Sequence, residues 1–178
     1  MLISIFGGSA PFPRSPAYEE AYQLGALLAH AGHTVATGGY LGVMEAASRG
    51  AAEAGGHVIG VTTGALENAP NLRVNAWVKE AIPFPTLRER LYHLTSLCDV
   101  AIALAGGVGT LAEIAFLWNL MQIAELPPRP LIAVGPVWAA TLHTFLTTAD
   151  PYLKPRDKTL IQCVPTVEDA VAKVAVIG

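Results

Sequence analysis

Two groups of residues in this chain have types and spacing suited to chemistry. The first is Gly106-Gly107-Val108-Gly109-Thr110-Leu111-Ala112-Glu113, directly after the apolar run Val100-Ala101-Ile102-Ala103-Leu104. Glycines between a buried strand and a helix allow a positive-φ turn, and their missing side chains let main-chain N–H groups approach an anion. The first turn of the helix adds a field that favours phosphate. Glu113 has two readings: Thr110-x-x-Glu113 fits a capping box, and a carboxylate one turn into a phosphate-binding helix also reaches the sugar bearing that phosphate. The second group is Leu87-Arg88-Glu89-Arg90. It is either a solvated charged face or a source of one cation for the site, because residues two apart on a helix point about 200° apart.

Other phosphate-binding turns fit less well. A P-loop ends in Gly-Lys-Ser/Thr, and no Lys stands here. Gly107-x-Gly109-x-x-Ala112 has the letters of a dinucleotide fingerprint, but the next strand ends in Val134-Gly135-Pro136 with no acidic residue for a ribose. The five His show no metal-ligand spacing, and His30 and His33 suit a helix end better. Cys98 and Cys163 sit in apolar contexts and read as two reduced, buried thiols, so neither a metal nor a disulfide is expected.

The elements that must position these residues alternate between short strands and longer helices. Strands are expected at 2–6, 33–36, 57–61, 99–104, 131–134 and 160–164, with another at 74–82. Helices are expected at 18–31, 42–54, 85–97, 108–123, 137–148 and 167–174, several bounded by Gly or Pro. The strands are runs without alternation, so both faces are covered, as in a parallel sheet between helix layers. The expected fold is α/β, a doubly wound parallel sheet in a Rossmann-like three-layer sandwich, forming one domain over residues 1–178. In such sheets ligands lie beyond the carboxyl ends of the strands, so the turns at Gly7-Gly8, Gly38-Gly39 and Gly106-Gly107 should converge on one cleft. The irregular stretch 64–75 is the expected contributor to a base pocket.

Composition narrows the partners. Apolar residues make up 52% and charged residues 14% of the chain, with a net charge of −3 and no basic run, which gives no footprint for nucleic acid or an anionic membrane. No apolar run reaches the ~18 residues of a spanning helix, and the N-terminus lacks a signal-peptide pattern. A cytoplasmic protein is expected. The helix after the glycine turn carries Ile114, Ala115, Phe116, Leu117, Trp118, Leu120 and Met121, apolar almost all round. It is either an ordinary buried helix or one face of a dimer.

Residues 106–113 are similar to the PGGxGTxxE motif of the LOG family, the cytokinin riboside 5′-monophosphate phosphoribohydrolases. Arg90, sixteen residues before Gly106, has the spacing of that family's upstream Arg, and Asp99 aligns between them. Gly38-Gly39-Tyr40-Leu41-Gly42-Val43-Met44 resembles its GGxxGxM segment, and Gly8-Ser9 its first-strand turn. The resemblance runs to about residue 135. It implies a homodimer without a cofactor that hydrolyses the N-glycosidic bond of a purine or cytokinin nucleoside 5′-monophosphate to free base and ribose 5-phosphate. Arg90 and Glu113 would be catalytic. Gly8, Ser9, Gly38, Gly39, Gly42, Met44, Gly106, Gly107, Val108, Gly109 and Thr110 would hold the nucleotide. Ala105 replaces the motif's Pro, and Leu91 replaces the Lys that follows the family's Arg. Residues 42–46 and 48–51 also resemble the molybdenum cofactor carrier proteins, which bind a phosphorylated pterin without hydrolysing it, so a nucleotide or cofactor carrier is the alternative. Some members have been labelled lysine decarboxylases, but Lys79, Lys154, Lys158 and Lys173 all lie outside the glycine-turn motifs.

Overall fold

The computed structural model describes residues 1–64 and 73–177. Residues 65–72, within the stretch expected to serve the base pocket, lie outside the described residues. Seven parallel strands form one sheet: β1 (Leu2–Phe6), β2 (Thr34–Thr37), β3 (Val58–Thr63), β4 (Glu80–Phe84), β5 (Val100–Ala103), β6 (Leu131–Val134) and β7 (Ile161–Val164). Their order is β4-β3-β2-β1-β5-β6-β7. Between them run α1 (Pro16–His30), α2 (Val43–Glu53), α3 (Leu87–Ser96), α4 (Val108–Gln122) and α5 (Pro136–Thr148). A 3-10 turn (Asp150–Tyr152), the short α6 (Pro155–Lys158) and α7 (Val167–Ala175) follow. This is the doubly wound Rossmann-like sandwich.

Alternate strand residues serve opposite helix layers. Ile3, Ile5, Val35, Val100 and Ile102 pack against α1, α2 and α7 through Leu24, Leu28, Ala47 and Val174. Phe6, Ala36, Val61, Ala101 and Ala103 pack against α3, α4 and α5 through Leu94, Ile114, Leu117, Trp118 and Trp138. Burial of both sets is why these strands show no polar alternation. α1 and α2 approach closely enough that only glycine fits at Gly50, where a Cβ would lie 1.9 Å from the Tyr22 carbonyl oxygen.

Three local expectations change. β4 begins at Glu80 rather than near residue 74, because the Asn75 side chain accepts from the Trp77 N–H at 3.2 Å and holds a turn there. Cys98 is buried, but Cys163 is exposed: β7 has a neighbour on one side only, and its middle residues face outward. The 3-10 turn and α6 lie in a stretch where no element was expected. Among the described residues, no helix is long and apolar enough to cross a membrane.

Candidate active site

The sheet reverses its winding between β1 and β5, the topological switch point at which doubly wound folds bind ligands. Three turns meet there and are bonded to one another. The Gly8 N–H donates to the Ala105 carbonyl at 3.1 Å, and the Val43 N–H donates to the Gly8 carbonyl at 2.9 Å. They enclose a cleft of about 430 Å³ lined by Gly7, Gly8, Ser9, Tyr40, Leu41, Met44, Arg90, Gly107, Val108, Gly109, Thr110 and Glu113. Ligand pockets commonly fall in the range of about 300–1,000 Å³.

α4 opens this cleft with its N-terminus. Gly107 is the N-cap and no side chain caps the helix. The first intrahelical bond runs from the Leu111 N–H to the Gly107 carbonyl at 3.0 Å. The N–H groups of Val108, Gly109 and Thr110 therefore have no partner within the helix. A Cβ added at Gly107 or Gly109 would meet nothing within 4 Å, so neither glycine is demanded by packing. The bare backbone faces open space, as an anion site requires. The expected capping box is absent because the helix starts before Thr110. Thr110 lies inside the first turn and Glu113 falls on the next.

Glu113 and Arg90 share the cleft. Burial pushes the Glu113 carboxyl up to about 7, and the Arg90 charge pulls it partway back. Arg90 is 6% exposed and its Nε donates to the Val61 carbonyl at 2.8 Å. Its Nη2 lies 4.0 Å from Met44 Sδ, and its guanidinium carbon lies 5.8 Å from the centre of the Tyr40 ring. Burial lowers its pKa, opposed by Glu113 and Tyr40. Arg88 is exposed on the other side of α3, so the 200° argument correctly separates the two arginines.

Four of the expected binding residues lie behind the wall instead of lining it. A Cβ at Gly38 would fall 1.9 Å from Arg90 Nη2, and one at Gly106 would fall 2.1 Å from Thr110 Oγ1. Gly39 and Gly42 have positive φ, and a Cβ on Gly42 would strike the Gly8 carbonyl oxygen. These glycines let the turns and Arg90 approach; Gly38, Gly39 and Gly42 are buried, and Gly106 is partly exposed. Asp99 is at the opposite end of the sheet, where its carboxylate accepts from the Leu2 N–H at 2.7 Å. The carrier-like residues Ser48 and Gly50 serve packing: Ser48 Oγ lies 3.1 Å from Thr37 Oγ1, and Gly50 faces α1. Gly7 lines the cleft as its turn was expected to, whereas Tyr40 and Leu41 are cleft residues that sequence reasoning missed although both stood within a motif it used.

A seven-stranded parallel sheet with helices on both faces and a cleft at its switch point defines a Rossmann-like protein. The chain belongs to the SLOG cluster4 family, which it matches over residues 1–124. It is 28% identical over 176 residues to a probable cytokinin riboside 5′-monophosphate phosphoribohydrolase of Oryza sativa subsp. japonica, covering 96% of this chain and 70% of that protein. Among solved structures, the molybdenum cofactor binding protein of the phototrophic bacterium Rippkaea orientalis superposes with a TM-score of 0.77 at 28% identity, covering 99% of this chain and 96% of that one. The molybdenum cofactor carrier protein of Chlamydomonas reinhardtii does so with a TM-score of 0.72 at 26% identity, covering 98% and 95%.

Proposed function

We propose that the protein hydrolyses the N-glycosidic bond of a purine nucleoside 5′-monophosphate, releasing free base and ribose 5-phosphate. The observation that carries this reading is the joining of three parts in one cleft: free N–H groups at the start of α4, Glu113 on the next turn, and the buried Arg90. The 5′-phosphate binds the N–H groups of Val108, Gly109 and Thr110, which directs the ribose toward Glu113. As the bond from C1′ to the base nitrogen breaks, its electrons leave with the base and positive charge builds on the sugar. The Glu113 carboxylate stabilises that charge and takes a proton from water, whose oxygen bonds to C1′; the departing nitrogen takes a proton from solvent, and Glu113 returns its own to solvent. A carboxyl pushed to about 7 is well matched to proton transfer near neutral pH. The phosphoribohydrolase relatives favour this chemistry.

A second reading, a non-catalytic carrier of a nucleotide or phosphorylated pterin cofactor, draws on the near-complete superposition with molybdenum cofactor binding and carrier proteins. It also draws on Leu91, which stands where the phosphoribohydrolases have Lys. Incubation with AMP and N6-substituted AMP separates the two. Appearance of free base together with ribose 5-phosphate, abolished by Glu113→Ala, supports hydrolysis. Tight binding without release overturns it in favour of the carrier.

The working unit in this proposal is a homodimer. α4 is covered on one side only: Val108 is 84% and Leu111 42% exposed, and Ala112 and Ala115 face outward with them. Glu113 is the one charged residue in this helix of 15 residues. An uncharged outer face bearing small residues suits close packing against a second copy of itself.

A further inference from the structure

β3 outruns its neighbour. β2 ends at Thr37, in register with Gly60, whereas β3 continues through Val61, Thr62 and Thr63. Two side chains from other elements take main-chain groups of this overhang. Arg90 Nε bonds the Val61 carbonyl. The Tyr40 hydroxyl accepts from the Thr63 N–H at 2.7 Å and donates to the Thr63 carbonyl at 3.0 Å. The other end of Tyr40 is held as firmly. Asn75 Nδ2 donates to the Tyr40 carbonyl at 3.0 Å, and the Asn75 N–H donates to the Gly39 carbonyl at 2.9 Å. The ring between these anchors is 1% exposed and has little freedom to turn.

Arg90 needs such a fixed surface. A guanidinium tied to an oxygen through Nε alone can still swivel about that bond. Among the described residues no carboxylate lies within ion-pair distance of it. The face of an aromatic ring attracts a cation and occupies none of its N–H groups, so the Nη nitrogens stay available to a ligand. Gly38 clears the space through which they reach the cleft.

We propose that Tyr40 is a positioning residue: its ring, pinned to the overhanging end of β3, sets the orientation of Arg90 relative to Glu113 and to a bound anion. The proposal rests on the reading of Arg90 and Glu113 as the working pair. Among the described residues, the titratable groups lining the cleft besides Glu113 are Arg90 and Tyr40, so the Glu113 carboxyl is a direct sensor of where Arg90 points.

The test follows the Glu113 carboxyl by 13C NMR titration in the full-length, ligand-free protein, together with AMP affinity by calorimetry. Tyr40→Leu removes the ring; the Glu113 midpoint should rise by about half a pH unit or more and AMP should bind about tenfold more weakly. Tyr40→Phe keeps the ring face but loses both hydroxyl bonds to Thr63, so its midpoint should move by clearly less than in Tyr40→Leu. Phenylalanines of increasing fluorination at position 40 keep the shape but weaken the ring face, so the midpoint should climb with fluorine count even if the leucine variant fails to fold. A folded leucine variant that titrates like wild type, a phenylalanine variant that shifts as far as leucine, or the absence of a fluorination trend would each overturn the proposal. The titration needs no turnover. A wild type that releases no base therefore defeats the hydrolase reading while leaving this test intact.

Discussion

Glu113 holds its proton near neutrality at a cost to the fold. Between its ordinary value of 4.5 and its folded value of about 7, the unfolded chain has released this proton and the folded chain has kept it. Stability from this group is thus fully present at low pH and declines as pH rises through about 7, by roughly 3 kcal/mol in all. Glu113→Gln should melt several degrees higher than wild type at pH 8 and nearly level with it at pH 4; equal melting at both pH values would show that the carboxyl is not strained by burial. The same group sets the expected rate profile. Hydrolysis of AMP should rise through a midpoint near pH 7 as Glu113 ionises, and in Arg90→Ala any residual activity should show a higher midpoint, because the charge that favours the carboxylate is gone. A profile flat from pH 5 to 9 would remove Glu113 from the proton transfer. At this scale the sequence was a good guide where a residue's role depends on local spacing. Arg90 and Arg88 separate by helix geometry alone. Tyr40 was legible only as a spacer between glycines, since its proposed role arises from β3 being longer than β2, a difference in strand length that no local spacing encodes.

Among the elements, the β5–α4 connection distinguishes two kinds of glycine that look alike in the motif. Gly106→Ala would drive a methyl group into Thr110 and the Gly8 N–H, separating turns that must touch. It should lower stability by about 1–3 kcal/mol, as overpacking does. Gly107→Ala meets no protein atom and should leave the melting temperature nearly unchanged while weakening AMP and inorganic phosphate binding. Thermal melts paired with calorimetry read both effects, and equal losses of stability in the two variants would refute the division. The strand-and-helix order could be read from apolar runs and Gly or Pro boundaries because both faces of the central strands are buried. β4, at one edge, was misplaced: its exposed residues carry little hydrophobic signal, and the turn ahead of it is set by the Asn75 side chain.

For the whole molecule, the uncovered side of α4 makes assembly testable without a ligand. Leu111→Glu combined with Ala115→Glu puts two carboxylates on that face and should convert a dimer to a monomer by sedimentation velocity. An unchanged species would move the interface elsewhere. Apolar composition foretold that α4 has something to bury, but only the packed chain shows which side remains open. The strand order also has a consequence in time. The cleft lies where β1 meets β5, with Ile3 in register with Val100, a contact that closes more than half of the chain into a loop. Such distant pairings form slowly compared with the local docking of α1 onto α2. The turns of β1 and β2 can take shape early, but α4, whose N-terminus opens onto the cleft, joins them only when the second half docks. In a refolding experiment, ligand recognition should be among the last properties the chain acquires, appearing after most of its helical signal has returned.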